Sequence, residues 1–317
     1  MSITIAQQMQ QLYSQFGELE GISIELHKNL LAVRVENSQA TATVFLQGAQ
    51  LSHYQLNNQA PIIWCSESND YQQGKSLRGG IPICWPWFGD LSRNPDNVKQ
   101  QIGDIANAPA HGFVREQLWQ LDQVEIVNPK LTRLTLSLTL AENTNAYWSY
   151  PCALQLTIII GQQLTLQLQI KNLSQQTFAF SNALHSYFAV GDINQVTING
   201  LESHPYIDCL DQWQSHTQDS ALSINQEVDR IYKNTNNTIS ITDSAWKRVI
   251  EIENKGSNSA VVWNPWKDKA KRLSQFDDHD YQNMLCIETA NIDDDHVVLP
   301  SGKTHQLEVQ IRQSSMN

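Results

Sequence analysis

The chain has 317 residues, 41% hydrophobic and 17% charged, the composition of an ordinary globular protein with a large core. Its formal net charge of -11 argues against nucleic acid and anionic membrane surfaces as partners, and obliges an anionic substrate to find a local basic pocket. Five scattered cysteines without a C-x-x-C pair, no signal-like start, and no apolar run near the ~20 residues that span a bilayer point to a soluble cytoplasmic protein with reduced thiols.

Ile5, Met9, Leu12 and Phe16 fall at helical spacing, so a short amphipathic helix is expected within an extension over residues 1–20. Its stripe serves either its own domain or a partner. From Leu30 the period changes to two, with Leu31, Val33 and Val35 on one side, and residues 42–56 read as a strand pair broken near Gly48. Residues 62–65 read as a short apolar strand before a polar loop over 66–76.

The segment 77–90 fits neither helix nor strand, because paired glycines and two prolines interrupt both. It is nevertheless rich in Ile81, Ile83, Trp85, Trp87 and Phe88. Such a rigid aromatic loop either lines a pocket or fills the core. Residues 91–108, polar and rich in Asn, Asp and Pro, read as an exposed insertion.

Residues 119–127 alternate again, and 130–140 form a clear strand. The strongest local signal is 152–173: Leu154, Leu156, Ile158 and Ile160 alternate, Gly161-Gln-Gln163 turns, and Leu164, Leu166, Leu168 and Ile170 alternate back. Further short strands are expected at 178–180, 196–198, 238–242, 249–253, 260–263, 284–288 and 307–311. Many short strands with no sustained helical period after residue 16 predict an all-β fold, a large antiparallel sandwich. No linker or composition shift divides the chain, so one domain over 1–317 is expected.

No Walker loop, Rossmann glycine pattern or Gly-x-Ser-x-Gly elbow is present, and the nine histidines form no metal-binding pair. The acidic runs 277–280 and 293–296 lack the spacing of a calcium loop and read as solvated. What remains is His185 in Leu184-His-Ser-Tyr-Phe188 and Glu288 in Cys286-Ile-Glu-Thr289, polar groups set in apolar stretches. On a strand, Leu285 and Ile287 face one side and Cys286 and Glu288 the other. Each polar residue is either a satisfied core group or one poised for proton transfer.

In sequence, Arg78-Gly-Gly-Ile-Pro-Ile-Cys-Trp-Pro-Trp-Phe-Gly89, His111-Gly-Phe-Val-Arg115, the His185 motif and the Glu288 motif resemble the aldose 1-epimerase-like proteins. The first two motifs are similar to the hexose-6-phosphate mutarotase branch, the glucose-6-phosphate 1-epimerases. The resemblance runs from about residue 25 onward. It implies a galactose mutarotase-like β supersandwich without a metal or organic cofactor. It implies His185 as general acid, Glu288 as general base, Arg78 and Arg115 as basic residues lining the substrate site, and Asp229 as a sugar-hydroxyl acceptor. His111 belongs to the same motif set and is placed with the substrate-binding residues. The insertion is longer than in many of these relatives.

The chemistry fits. Anomer exchange moves one proton off the C1 hydroxyl and one onto the ring oxygen, and both groups work best near the operating pH. A histidine starts there, and desolvation raises a carboxylate toward it. Guanidinium forks bind phosphate oxygens bidentately, so Arg78 and Arg115 are expected to offset the acidic surface, unless they serve as ion pairs. The expected partner is a sugar phosphate, bound by a monomer. Two readings compete: an epimerase of unphosphorylated aldoses, and a non-catalytic carbohydrate-binding module. A glycoside hydrolase ranks last, since only one carboxylate lies in an apolar motif.

Overall fold

A computed structural model describes residues 4–235 and 238–316, so residues 1–3 of the expected extension fall outside it. The helix forms over Ile5–Phe16. Thr4 caps it, its hydroxyl accepting from the Gln7 amide while the Gln7 side chain accepts from the Thr4 N–H. Leu12 is buried, and Ile5, Met9 and Phe16 pack against the main core. The stripe therefore serves its own domain.

The expected hairpin lies within a nine-stranded antiparallel sheet. Cys152–Ile160 pairs with Gln163–Asn172 on one side and Leu131–Leu140 on the other, and Thr304–Ser315 pairs with Gln163–Asn172. The eight alternating Leu and Ile residues named above are all fully buried. They meet the inner face of a second sheet, whose central strands are Val228–Lys233, Ser259–Asn264 and Met284–Asn291, flanked by Asn182–Leu184 and Ile83–Cys84. Leu285 and Ile287 belong to this shared core; Cys286 and Glu288 point the other way, as alternation requires. A four-stranded sheet, Ile22–His27 through Gln50–Leu56, closes one side. Together they make the antiparallel sandwich that the alternation predicts. No helix among the described residues is long and apolar enough to cross a membrane.

The irregular segment is locked by close backbone approach. Gln50 sends its buried amide to the carbonyls of Gly79 (2.6 Å) and Leu77 (3.4 Å). A Cβ at Gly80 would run into the Leu51 carbonyl, and one at Gly112 into that of Trp85, and both glycines hold positive φ. Gly112 and Trp85 form a parallel bridge, with the Phe113 N–H on the Trp85 carbonyl (3.1 Å). The two motifs thus form one backbone unit although 91–108 separates them in sequence.

Two expectations change, and one open alternative is decided. Residues 62–65 form isolated bridges rather than a strand. Ile62 donates to Tyr54 and Trp64 to Tyr187, so the segment steps between two sheets instead of running beside one partner. The insertion is not simply exposed: Leu91, Val98 and Ile102 are buried, and it folds into a turn over Leu91–Arg93 and a short helix over Asp96–Lys99. Its sparse apolar residues carry no readable period. Trp85 and Trp87 are wholly buried, Trp85 against Trp148 at 4.9 Å, so they fill the core, and only Phe88 of the aromatic trio reaches the pocket.

Candidate active site

The outer face of the second sheet floors a cavity of about 340 Å³. Glu288 rises from the middle of Met284–Asn291, opposite Val261 of the neighbouring strand. His185 follows the strand Asn182–Leu184, and its N–H is tied to the Pro82 carbonyl at 3.0 Å. Its ring stacks on Tyr187 with centroids 4.7 Å apart and an 8° tilt, which fixes its plane. Residues far apart in sequence thus meet: His185 Nε2 lies 3.4 Å from Glu288 Oε1. Both are buried, at 7% and 1% exposure. His185 Nδ1 and Glu288 Oε2 have no protein partner. Leaving a buried polar atom unpaired costs about 1–3 kcal/mol, which a core normally avoids.

Electrostatics place a single movable proton on this pair. Burial pushes the His185 imidazole down to about 3, helped by the charges of Arg115 and Arg78. Burial pushes the Glu288 carboxyl well above its ordinary range, helped by the Asp229 carboxylate. The imidazole is therefore held neutral and the carboxyl is biased toward its protonated form, which favours a neutral contact over an ion pair.

The remaining expected residues separate into two groups. Arg78, His111 and Asp229 line the cavity with the pair. Asn69 clamps the Arg78 backbone, accepting its N–H at 2.8 Å and donating to its carbonyl at 3.0 Å. The Arg78 side chain then reaches the Tyr187 hydroxyl. His111 accepts the Gly89 N–H at its Nδ1 (3.3 Å), which puts the proton on Nε2. Burial and the nearby cations keep its pKa well below the usual value, so it is a neutral donor. Asp229 has its carboxyl raised by burial, against the pull of Lys269 at 3.8 Å. Arg115 does not line the cavity. It sits on the turn Val114–Glu116, and its Nη2 donates to the Ala110 carbonyl at 2.7 Å. Its charge acts on His111 and His185 from there.

Sequence reasoning missed several wall residues. Arg93 and Asn94 come from the insertion, Trp213 from the turn after Pro205–Asp208, Trp263 and Lys269 from Ser259–Asn264 and the helix after it. Nothing local marks Arg93 or Lys269; only the fold brings them in. Tyr187 lay within a motif but had no assigned role. Asp293 of the acidic run also reaches the wall and pairs with Lys233 at 2.6 Å, so that run is less solvated than expected. Among the described residues no group of three or more His, Cys, Asp or Glu side chains is arranged to hold a metal ion.

Residues 32–312 match the family described as aldose 1-epimerase. A protein of Cenchrus ciliaris with the provisional name glucose-6-phosphate 1-epimerase is 32% identical over 89% of this chain and 84% of its own length. One of Escherichia coli with the same provisional name is 30% identical over 81% of each. A crystal structure from Salmonella typhimurium, provisionally described as a mutarotase, superposes with a TM-score of 0.84 at 27% identity, covering 94% of this chain and 95% of that one.

Proposed function

The chain belongs to the aldose 1-epimerase family and is a sugar epimerase, and from that premise we propose that it interconverts the α and β anomers of a hexose 6-phosphate, D-glucose 6-phosphate foremost. The observation that carries the chemistry is the buried His185–Glu288 contact, with one further polar atom on each partner left without a hydrogen bond. One partner takes the proton of the C1 hydroxyl while the other protonates the ring oxygen. The C1–O5 bond breaks, giving the open aldehyde. Rotation about C1–C2 presents the other carbonyl face, and the two protons return in reverse.

The family resemblance assigns the acid role to His185 and the base role to Glu288. With those roles, the state left after ring opening is a neutral imidazole and a protonated carboxyl. Burial biases the pair toward that same uncharged state, so the site favours the open-chain intermediate over the ionised pair that precedes it. The His111 Nε2–H supplies a neutral donor and Asp229 an acceptor for sugar hydroxyls, and Tyr187 and Trp263 offer ring faces to the C–H surface of the sugar.

Phosphate selection rests on the cations of the wall, Arg78, Arg93 and Lys269, set in a chain of net charge -11. The carboxylates of Asp90, Asp229 and Asp293 on the same wall favour the second reading, an unphosphorylated aldose. Comparing kcat/KM for glucose 6-phosphate and glucose, by polarimetry on freshly dissolved single anomers, separates the two. A ratio well above one supports the phosphorylated substrate; a ratio at or below one overturns it.

A further inference from the structure

We infer that Arg93, supplied by the insertion and held flat by Trp213, is a specificity-determining residue that grips the anionic tail of the substrate at the rim of the cavity. This rests on the phosphorylated-substrate reading above and adds a residue outside the sequence motifs. Four observations converge on it.

The first is place: Arg93 lines the cavity that holds His185 and Glu288. The second is charge. Among the described residues Arg93 has no carboxylate within ion-pair distance, whereas Lys269 is held by Glu227 at 3.1 Å and Lys233 by Asp293 at 2.6 Å. Its acidic neighbour Asp90 accepts the Ser92 N–H at 2.9 Å and feels the Arg93 charge, but the two form no ion pair. Arg93 therefore has no carboxylate in contact and its N–H groups are open to a ligand.

The third is orientation. The Arg93 guanidinium carbon stands 4.9 Å from the centroid of the Trp213 ring. Stacking uses a face of the guanidinium and leaves its in-plane N–H groups available, the geometry that pairs with two phosphate oxygens. The fourth is rigidity. The Asn94 side chain donates to the carbonyls of Phe88 (2.8 Å) and Asp90 (3.0 Å) and accepts from the Ser181 hydroxyl. Val98 and Ile102 anchor the segment in the core. The Asn97 amide reaches His296 Nε2 at 2.6 Å, and His296 Nδ1 meets the Asp293 carbonyl at 2.8 Å, so the insertion is fastened to the opposite wall. A cation held this way loses little freedom on binding.

The rim location also suits a phosphate physically. Arg93 is exposed, so a dianion bound there keeps part of its hydration, while full burial of that charge would be very costly.

The test compares Arg93→Ala, Arg93→Lys and Trp213→Ala with the parent, measuring kcat and KM for glucose 6-phosphate and glucose across 50–300 mM KCl. Arg93→Ala is expected to lower the preference for the phosphorylated sugar about tenfold, through KM, and to flatten the salt dependence of that KM. Arg93→Lys should recover part of the loss, since it restores charge without the fork, and Trp213→Ala should lose less than Arg93→Ala. Calorimetric binding of glucose 6-phosphate in a His185→Asn background gives the same ranking without turnover. If the parent prefers the phosphorylated sugar and Arg93→Ala keeps that preference and its salt slope, the Arg93 inference is wrong and the substrate reading stands. If the parent shows no such preference, both fall. Equal losses on the two sugars would mark Arg93 as merely structural and overturn the inference.

Discussion

The hairpin Cys152–Ile160 with Gln163–Asn172 and the cavity around His185 and Glu288 are both buried, yet they obey opposite rules. In the hairpin the inward residues are apolar as far as Asn172, whose buried amide is hydrogen-bonded to the Gln176 and Leu299 carbonyls, and among the described residues the hairpin has no buried side-chain atom without a partner. Around the cavity, Arg78 Nε, His185 Nδ1 and Glu288 Oε2 all lack one. The hairpin holds the sandwich together. The cavity carries a stability cost that a core would shed, and this contrast, more than any single side chain, marks where the chemistry is.

Polar substitution on the cavity side gives the widest separation between the regions. Glu288→Gln and His185→Asn are expected to lower turnover by about 10²–10⁴-fold, the usual weight of acid–base catalysis, without unfolding the protein. Polarimetric rates close to the parent's for either variant would remove the pair from the mechanism. The same Glu288→Gln change should raise Tm. The raised carboxyl of Glu288 contributes stability below its ordinary value near 4.5, and this is lost as pH rises through the folded value. The Tm gain of the variant should therefore grow from pH 5 to pH 8; a gain that shrinks would contradict a raised carboxyl.

On the hairpin side the effect should invert. Ile158→Ala is expected to cost about 2–5 kcal/mol of stability, read by urea denaturation, while kcat of the folded fraction stays near the parent value. A selective loss of kcat instead would mean that the two regions are coupled.

Arg78→Ala probes the boundary between binding and electrostatics. Its charge presses on His185 and its side chain lies by Tyr187, so turnover should fall about tenfold with both sugars, and further with the phosphorylated one. The smallest effect is spectroscopic. The imidazole of His185 is expected to stay neutral from pH 8 to pH 5 and to titrate only toward 3, so its nitrogen shifts should not move over the upper range. The depressed imidazole gives stability that is present above the ordinary value of 6.5 and lost as pH falls toward 3. An inflection near 6.5 would show that water reaches the pair.

The same contrast explains what the sequence discloses. The hairpin is readable because its period of two runs unbroken over both strands. Glu288 is readable because alternation puts it opposite Leu285 and Ile287. The strand Val228–Lys233, which carries Asp229, is not: Asp229 and Arg230 interrupt the pattern, since the residue facing the cavity and its neighbour on the other face are both charged. His111 and Arg115 read as one motif, but His111 lines the cavity while Arg115, on the turn Val114–Glu116, donates from its guanidinium to the Ala110 carbonyl. Arg93 escapes notice because an insertion whose buried apolar residues are only Leu91, Val98 and Ile102 has no usable rhythm.

The backbone clasp between Gly112 and Trp85 bears on how such a protein diversifies. The His111 N–H meets the Gly89 carbonyl at 2.9 Å, so the chain leaves and re-enters the site at almost one point, and the span between is a loop with a fixed base. Doubling the length of such a loop costs only ~0.6 kcal/mol of closure entropy, little beside the packing at its base. Residues 91–108 are therefore an exchangeable cassette: new lengths and new rim charges can be tried there, generation after generation, over an unaltered proton-handling floor.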